Sequence, residues 1–438
     1  MPEPRLTDPL RRPLFRRLAA SYTVNELGDW MGIIALSVLV FDRTDSALAT
    51  AALFLGTRFL PALFAPVLVA HAERPPPRFA LPVIYCGEAA VFGALALLAG
   101  HFSLAPIIAL AAIDGALALA GRALTRAVVA TALEPTGELR AGNAVLNVAF
   151  TGGAAVGPAL AGLVVAGFGV QSALLLDAVS FYLVAWILFT AGTMPQAEPE
   201  EGRMRERVRA GLDYIRGETV LARILVAQGI AFVFFAAVLP VEVVYVKESL
   251  GSNDTGYGLM LASWGVGMVL GSLIFARIRE TSLGGQLFFS TLAIGAGYLG
   301  LAAAPGLAFA CVASALGGAG NGVQWVALVS AVQEMTAQRM QARVMSVLES
   351  IGAAMPGIGF ALGGVIAVLV SPRMTFFVAG SGVVAIVVVM APILGADWLE
   401  GGGTSDANEA EALDGRDDVV VELIPGGASG KPSIEEGI

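Results

Sequence analysis

Ionisable residues set inside long apolar runs are the feature of this sequence best placed to do chemistry. Asp29, Arg58, Glu88, Asp114 and Arg122 each stand inside such a run. A charged side chain at the centre of a bilayer costs about 2.5–3.5 kcal/mol on insertion scales, so residues held there are candidates for pairing or for moving protons. Asp29 falls 13 residues into an outgoing segment and Arg58 12 residues into the returning one, which puts both near mid-depth on neighbouring helices. A pair there neutralises both charges, and a proton arriving on Asp29 would release Arg58. The same pair serves equally as a permanent tie between two helices. Glu88 and Arg122 each lie nine residues from the inner ends of their segments and form a second candidate pair. Arg122 and Arg126 share a helical face, being four residues apart, and Arg126 is expected to snorkel to the interface. Asp114 precedes Arg122 by two turns. Glu242, Asp177 and Glu349 fall near segment ends and are expected at the interface.

The elements that must position these residues are apolar segments at 16–41, 46–71, 79–100, 104–131, 143–168, 172–191, 221–247, 254–278, 284–304, 307–335, 342–370 and 372–395. About 20 apolar residues cross a hydrocarbon core ~30 Å thick, and a spanning backbone must satisfy its own hydrogen bonds as helix. The chain is 56% hydrophobic and only 14% charged. It therefore reads as an all-α integral membrane protein with twelve transmembrane helices. Arginine collects at the N-terminus and at every second junction, eighteen basic residues against three at the alternate junctions. By the positive-inside rule both termini are cytoplasmic, in the plasma membrane, which for a bacterium is the inner membrane. The arginine-rich start resembles a signal peptide, but its apolar run is too long, so a retained first helix is expected.

The chain divides into four parts: an N-terminal six-helix half (1–191), a polar linker (192–220), a C-terminal six-helix half (221–395) and an acidic tail (396–438). Val208, Leu212 and Ile215 against Arg205, Arg209 and Arg216 predict a short amphipathic helix on the membrane surface in the linker. The formal charge of −9 belongs to the tail, which holds eleven acids and two bases, leaving 24 of each elsewhere. Its Gly-, Ser- and acid-rich composition predicts disorder. Nothing points to a nucleic-acid partner. Cys86 and Cys311 lie in apolar runs and suggest no disulfide or metal site, and no phosphate-binding loop ending in Lys-Ser/Thr is present. No cofactor and no enzyme activity are expected, and a monomer is the expectation.

The halves echo each other. NAVLNVAFTGGAAVGPALAGLVVAGFG in the fifth segment parallels SVLESIGAAMPGIGFALGGVIAVL in the eleventh; each comes after an arginine, carries an early polar residue and turns Gly/Pro-rich midway. Two six-helix pseudo-symmetric halves related by an axis along the membrane normal are implied. Glycines four apart (Gly153/Gly157, Gly267/Gly271, Gly318/Gly322, Gly359/Gly363) predict close helix approach, and Pro158 invites a bend.

Two stretches carry a family resemblance: NELGDWMGIIALSVLVFDRTDSALATAALFLGTRFLPALFAP (Asn25–Pro66) and GAAVGPALAG (Gly153–Gly162). Over residues 12–395 the chain resembles the major facilitator superfamily, and within it the bacterial enterobactin and macrolide exporter branch. GAAVGPALAG nearly matches the superfamily's exporter-associated motif, with Ala161 where glycine is usual. The loop VAHAERPPPR departs from the superfamily's Gly-x-Leu-Ala-Asp-Arg-x-x-Arg-Arg: Glu73 takes the Asp position, Arg74 and Arg78 remain, and Val69 replaces the leading glycine. The resemblance implies the major facilitator fold, a cytoplasmic gate at Glu73, Arg74 and Arg78, a proton role for Arg122, and a cavity lined by helices one, four, seven and ten. On those helices stand Asn25, Glu26, Asp29, Trp30, Asp114, Arg122, Gln228, Phe232, Phe235, Asn321, Gln324 and Trp325. Such a wall suits an amphiphilic, aromatic or weakly cationic ligand; helix–helix hydrogen bonding is the alternative for any single amide. The implied function is proton-driven export of small amphiphilic, drug-, macrolide- or siderophore-like molecules by alternating access, with gating and packing by Gly153, Gly157, Pro158 and Gly162. An importer or lipid flippase of the same fold, or a non-transporting membrane sensor, are the alternatives. Protons, a small-molecule substrate and membrane lipid are the expected partners.

Overall fold

The computed structural model describes residues 7–196, 204–277, 282–337 and 340–394. All regular elements among them are helical. Helix α1 is Pro13–Thr44. Helix α2 runs over 47–72 in pieces: Ala47–Phe54, a π turn at Leu55–Phe59, then Leu60–Leu63 and Ala65–Ala72. Helices α3 (Pro77–Gly100) and α4 (Leu104–Leu133) come next. The run Leu139–Phe189 is broken at Gly169 (φ 80°, ψ 165°) into arms α5, residues 139–168, and α6, residues 170–189. Beyond come α7 (Met204–Gly217), α8 (Thr219–Val238), α9 (Asp254–Arg277), α10 (Leu283–Ala303), α11 (Leu307–Glu334), α12 (Gln341–Leu369) and α13 (Pro372–Leu394). The acidic tail expected at 396–438, and residues 197–203 of the linker, lie outside the described residues.

Among the described residues, nine helices are long and apolar enough to cross a membrane, one of them being the joined α5–α6 run. Counting its arms separately and adding α2 and α11 is consistent with the dozen expected. Helix α2 falls short because the π turn and Pro61 interrupt it; α11 is diluted by its GGAGNGVQ stretch. That α5 and α6 are two crossings is evident from their contacts with α1. Gly153 meets Glu26 and Gly157 meets Trp30, so α5 runs parallel to α1. Gly28 meets Phe181 and Gly32 meets Asp177, so α6 runs antiparallel to it. The reversal needs φ > 0, which glycine supplies at position 169 without a Cβ penalty.

Corresponding helices pack alike in the two halves. Gly153 and Gly157 of α5 lie on α1, while Gly359 and Gly363 of α12 lie on Val233 and Ala237 of α8. A Cβ on Gly157 would stand 2.6 Å from that of Trp30, so backbone approach there depends on the missing side chain. Gly267 and Gly271 meet Ala315 and Ala319, and Gly318 and Gly322 meet Trp264 and Met268, fixing α9 on α11. Between halves, Gly162 of α5 abuts Gly258 of α9, and Gly364 of α12 abuts Ala51 of α2. Phe54 and Phe360 rings pack at 5.4 Å across the same seam. Lys247 bridges Asp42 of the N-terminal half and Asp254, the latter at 2.6 Å. These contacts lie on the face remote from Thr7 and Leu394, the first and last described residues, and they close the halves together there.

The amphipathic linker helix forms as α7, and part of its apolar stripe packs on protein. Ile215 joins Leu221, Leu225, Leu328, Val344 and Leu348 in a separate apolar cluster at the terminus-side ends of α8, α11 and α12. The Ala337 N–H donates to the Tyr214 hydroxyl at 3.1 Å. Ile215 of the stripe meets the helix ends of the C-terminal half, while Leu212 stays 36% exposed.

Candidate functional site

The site is built on one face of α1. Asn25 and Asp29 stand one turn apart, so the Asn25 amide donates to an Asp29 carboxylate oxygen at 3.5 Å. The other partner of that carboxylate is Arg122 of α4, in a direct ion pair. One turn further along α4, Arg126 donates to the Tyr22 hydroxyl at 3.0 Å and lies over the Tyr22 ring. Two polar rungs therefore tie α4 to α1, and both use the arginine spacing of four.

The expected partner of Asp29 was Arg58, and the structure corrects that. Arg58 sits on the π turn of α2 with its guanidinium 5.3 Å above the Trp30 ring. A π turn inserts a residue and rotates the helix beyond it, which presents Arg58 to the flank of α1 next to Asp29. Residue counting fixes depth and leaves rotation about the helix axis open. Glu88 does not meet Arg122 as expected: its side chain is fully buried and neither carboxyl oxygen has a hydrogen-bond partner.

Asp177 was placed at an interface by its position in the sequence, and the structure overturns this. It is 0% exposed, both carboxyl oxygens lack partners, and they lie against α1, where Cβ atoms on Gly28 and Gly32 would stand 3.0 and 3.2 Å away. The glycine pair at 28 and 32 is the signal that could have found it, since it clears a recess on the helix carrying Asp29. Glu242 is half-buried and Glu349 exposed.

Glu26, Asp29, Glu88, Asp114 and Asp177 are thus five carboxyl groups, each 9% exposed or less, gathered inside the N-terminal half with Arg58 and Arg122. Burying uncompensated charge costs far more than pairing it. Two guanidinium groups leave three carboxyls to be neutralised by protons or a cation. At ~1.5 Å rise per residue from the closed face, Asp114 lies ~15 Å deep, Glu88 ~18 Å, Asp29 ~23 Å and Arg122 ~27 Å, and Asp177 faces α1 at Gly28 and Gly32. The groups form a ladder through one half, flanked by the unpartnered hydroxyls of Tyr85 and Thr125.

The residues expected to share a cavity wall are divided among three places. Asn25, Glu26 and Trp30 belong to the α1 face. Gln324 donates to the Gln228 amide oxygen at 2.7 Å inside the C-terminal half. Phe235 packs with Trp264 (6.1 Å) and Tyr298 (6.4 Å), again inside that half. Phe232 and Trp325 pair at 6.4 Å with Gly352 of α12 beside Phe232; Trp325 is 42% exposed and Asn321 half-buried. At the α2–α3 turn Glu73, Arg74 and Arg78 are exposed, Arg78 lies over Phe79 at 4.4 Å, and no ion pair joins the three among the described residues. Pro158 is buried within α5, four residues before Gly162.

Residues 6–394 match the family model described as "Transmembrane secretion effector", one of the MFS families. The chain belongs to the major facilitator superfamily. It is 25% identical over 398 residues to the uncharacterised MFS-type transporter YfiS of Bacillus subtilis strain 168, covering 85% of this chain and 92% of that one. Among solved structures, the nucleoside transporter NupG matches with a TM-score of 0.66 at 11% identity, covering 86% of this chain and 98% of that one. A bacterial homologue of the human lysosomal transporter Spinster, in an inward-facing and unoccupied conformation, matches at 0.62 and 13% identity, covering 90% and 98%. A POT family transporter matches at 0.66 and 14%, covering 86% and 96%. This major facilitator protein is therefore a multi-pass membrane transporter with a small-molecule substrate.

Proposed function

We propose that this major facilitator protein is a secondary active exporter of small amphiphilic molecules, coupled to proton entry through its N-terminal half. The observation that carries the reading is the Asp29–Arg122 pair standing among four further buried carboxyls. Protonation of Asp29 removes the partner of Arg122 and frees that guanidinium to move toward Glu26 or Asp114, each of which holds an unpartnered oxygen. A charge rearrangement inside one half can then bias how the halves meet, as a two-state transporter requires. With both termini cytoplasmic, as the arginine distribution implies, the closed face is extracellular and the conformation is inward-facing. An amphiphile would enter from the cytoplasmic side past the Phe232–Trp325 pair. The exporter motif at Gly153–Gly162 supports outward transport, and Gly162 lies at the contact between the halves.

Proteoliposomes carrying the purified protein test this with ethidium, an amphiphilic aromatic cation, and erythromycin, a macrolide. An imposed pH gradient is expected to drive accumulation of at least one of them against the proton flow, and Asp29→Asn to abolish it. Movement in the direction of proton flow instead identifies an importer; no movement of either compound under any gradient contradicts the proposal.

A further inference from the structure

The C-terminal half contains a cavity that lies apart from the contacts between the halves. It is formed by α8, α10, α11 and α13 alone, and its atom-free space, the open mouth included, is about 560 Å³. Its lining residues lie toward the terminus-side ends of these four helices. Leu287, Phe288, Leu328, Ile386 and Met390 make the walls apolar, and no charged side chain borders it. Three polar side chains do: Gln228, Gln324 and Thr291.

The two glutamines define what the cavity accepts. Gln324 spends one N–H on the Gln228 carbonyl at 2.7 Å. A primary amide has two N–H donors and one carbonyl acceptor. The Gln228 NH2 and the Gln324 oxygen therefore remain, a donor and an acceptor on one coupled pair. A guest that carries an acceptor beside a donor, as an amide does, can satisfy both. A guest with a net charge would bring it into an apolar chamber with no counter-charge, which is costly.

We infer that this cavity is a binding site for a neutral amphiphile whose amide-like head engages Gln228 and Gln324 and whose apolar body fills the space between α10 and α13. It is separate from the carboxyl ladder, so binding requires neither transport nor proton coupling.

The test uses the full chain in detergent with Phe288→Trp as a reporter beside the cavity and 9,10-dibromostearamide as the probe, since bromine quenches a nearby indole. Saturable quenching of the added indole is expected, with one probe per chain by native mass spectrometry. The carboxylate analogue 9,10-dibromostearate is expected to bind about tenfold more weakly or worse, the scale of one lost hydrogen bond with its desolvation. Replacing both amides (Gln228→Leu with Gln324→Leu) should erase that preference, and Ala231→Phe should block the probe by filling the chamber. Should the double variant not fold, the Ala231→Phe comparison decides. Equal quenching by amide and carboxylate, quenching that never saturates, or binding unaffected by Ala231→Phe overturns the assignment. Because nothing is transported in the assay, its failure leaves the proton-coupling proposal standing, and the reverse also holds.

Discussion

The two halves of this transporter use one packing scheme and opposite interiors. In both, a glycine-bearing helix lies on the first helix of its half: α5 on α1 at Glu26 and Trp30, α12 on α8 at Val233 and Ala237. Aligning those contacts sets Asp29 opposite Ala236 and Glu26 opposite Val233. The N-terminal half has filled the frame with five buried carboxyls and two arginines. The C-terminal half has filled it with apolar side chains, a hydrogen-bonded glutamine pair and the aromatic group of Phe235, Trp264, Tyr298 and Phe376. Backbone architecture alone therefore does not demand the carboxyl ladder, since an equivalent frame holds together without it. Charge retained in one half at such cost is what the proposed proton coupling would use.

The comparison breaks most visibly at Arg122. Arg122→Gln leaves Asp29 buried without its cation, and removing one partner of a buried pair costs about 3–5 kcal/mol. A large fall in the unfolding temperature in detergent, together with loss of gradient-driven transport, is expected. Placing an acid in the dry half comes next: Ala236→Asp should cost about 2.5–3.5 kcal/mol, the insertion penalty for a lone mid-membrane acid. If it were as stable as the parent, the C-terminal interior would be wet and the contrast false.

Asp177 gives the sharper test because two readouts should move in opposite directions. Its carboxyl oxygens make no hydrogen bond, so Asp177→Leu removes an unsatisfied group and should stabilise the protein by about 1–3 kcal/mol. Gradient-driven transport should nevertheless fall. A residue that merely held α6 to α1 would lose stability and activity together. The smallest effect is expected at the seam: Lys247→Ala removes a partly exposed bridge between halves, worth about 0.2–1 kcal/mol. Its signature is a shift toward the outward-open state, read as faster labelling of a cysteine introduced at Ala51.

Much of the fold was legible in the sequence because hydrocarbon imposes one rule on every segment. Run lengths marked the apolar helices, a set consistent with a dozen crossings, and the glycine pairs at 153/157 and 359/363 marked contacts that the structure contains. Residue spacing also gave the depth of Asp29 and Arg122. Azimuth was not legible: the π turn under Arg58 has no sequence mark, so spacing alone assigns Arg58 to Asp29 when it belongs over Trp30. Asp177 lies close to the Gly169 turn, and that proximity reads as exposure, whereas α6 inserts it directly behind Gly28 and Gly32. Helix membership groups Gln228 and Gln324 with Trp30, although each turns into its own half. Helix α7 showed its amphipathic stripe but not the surface that stripe would find.

Protons handled by the N-terminal half are the central claim, and counterflow separates that from substrate binding. In proteoliposomes without a pH gradient, exchange of labelled for unlabelled ethidium needs binding and alternating access but no net proton movement. Asp29→Asn is predicted to keep this exchange while losing gradient-driven transport, and Gln228→Leu is predicted to keep both. Retention of gradient-driven transport by Asp29→Asn, or its selective loss in Gln228→Leu, would contradict the assignment of coupling to the N-terminal half.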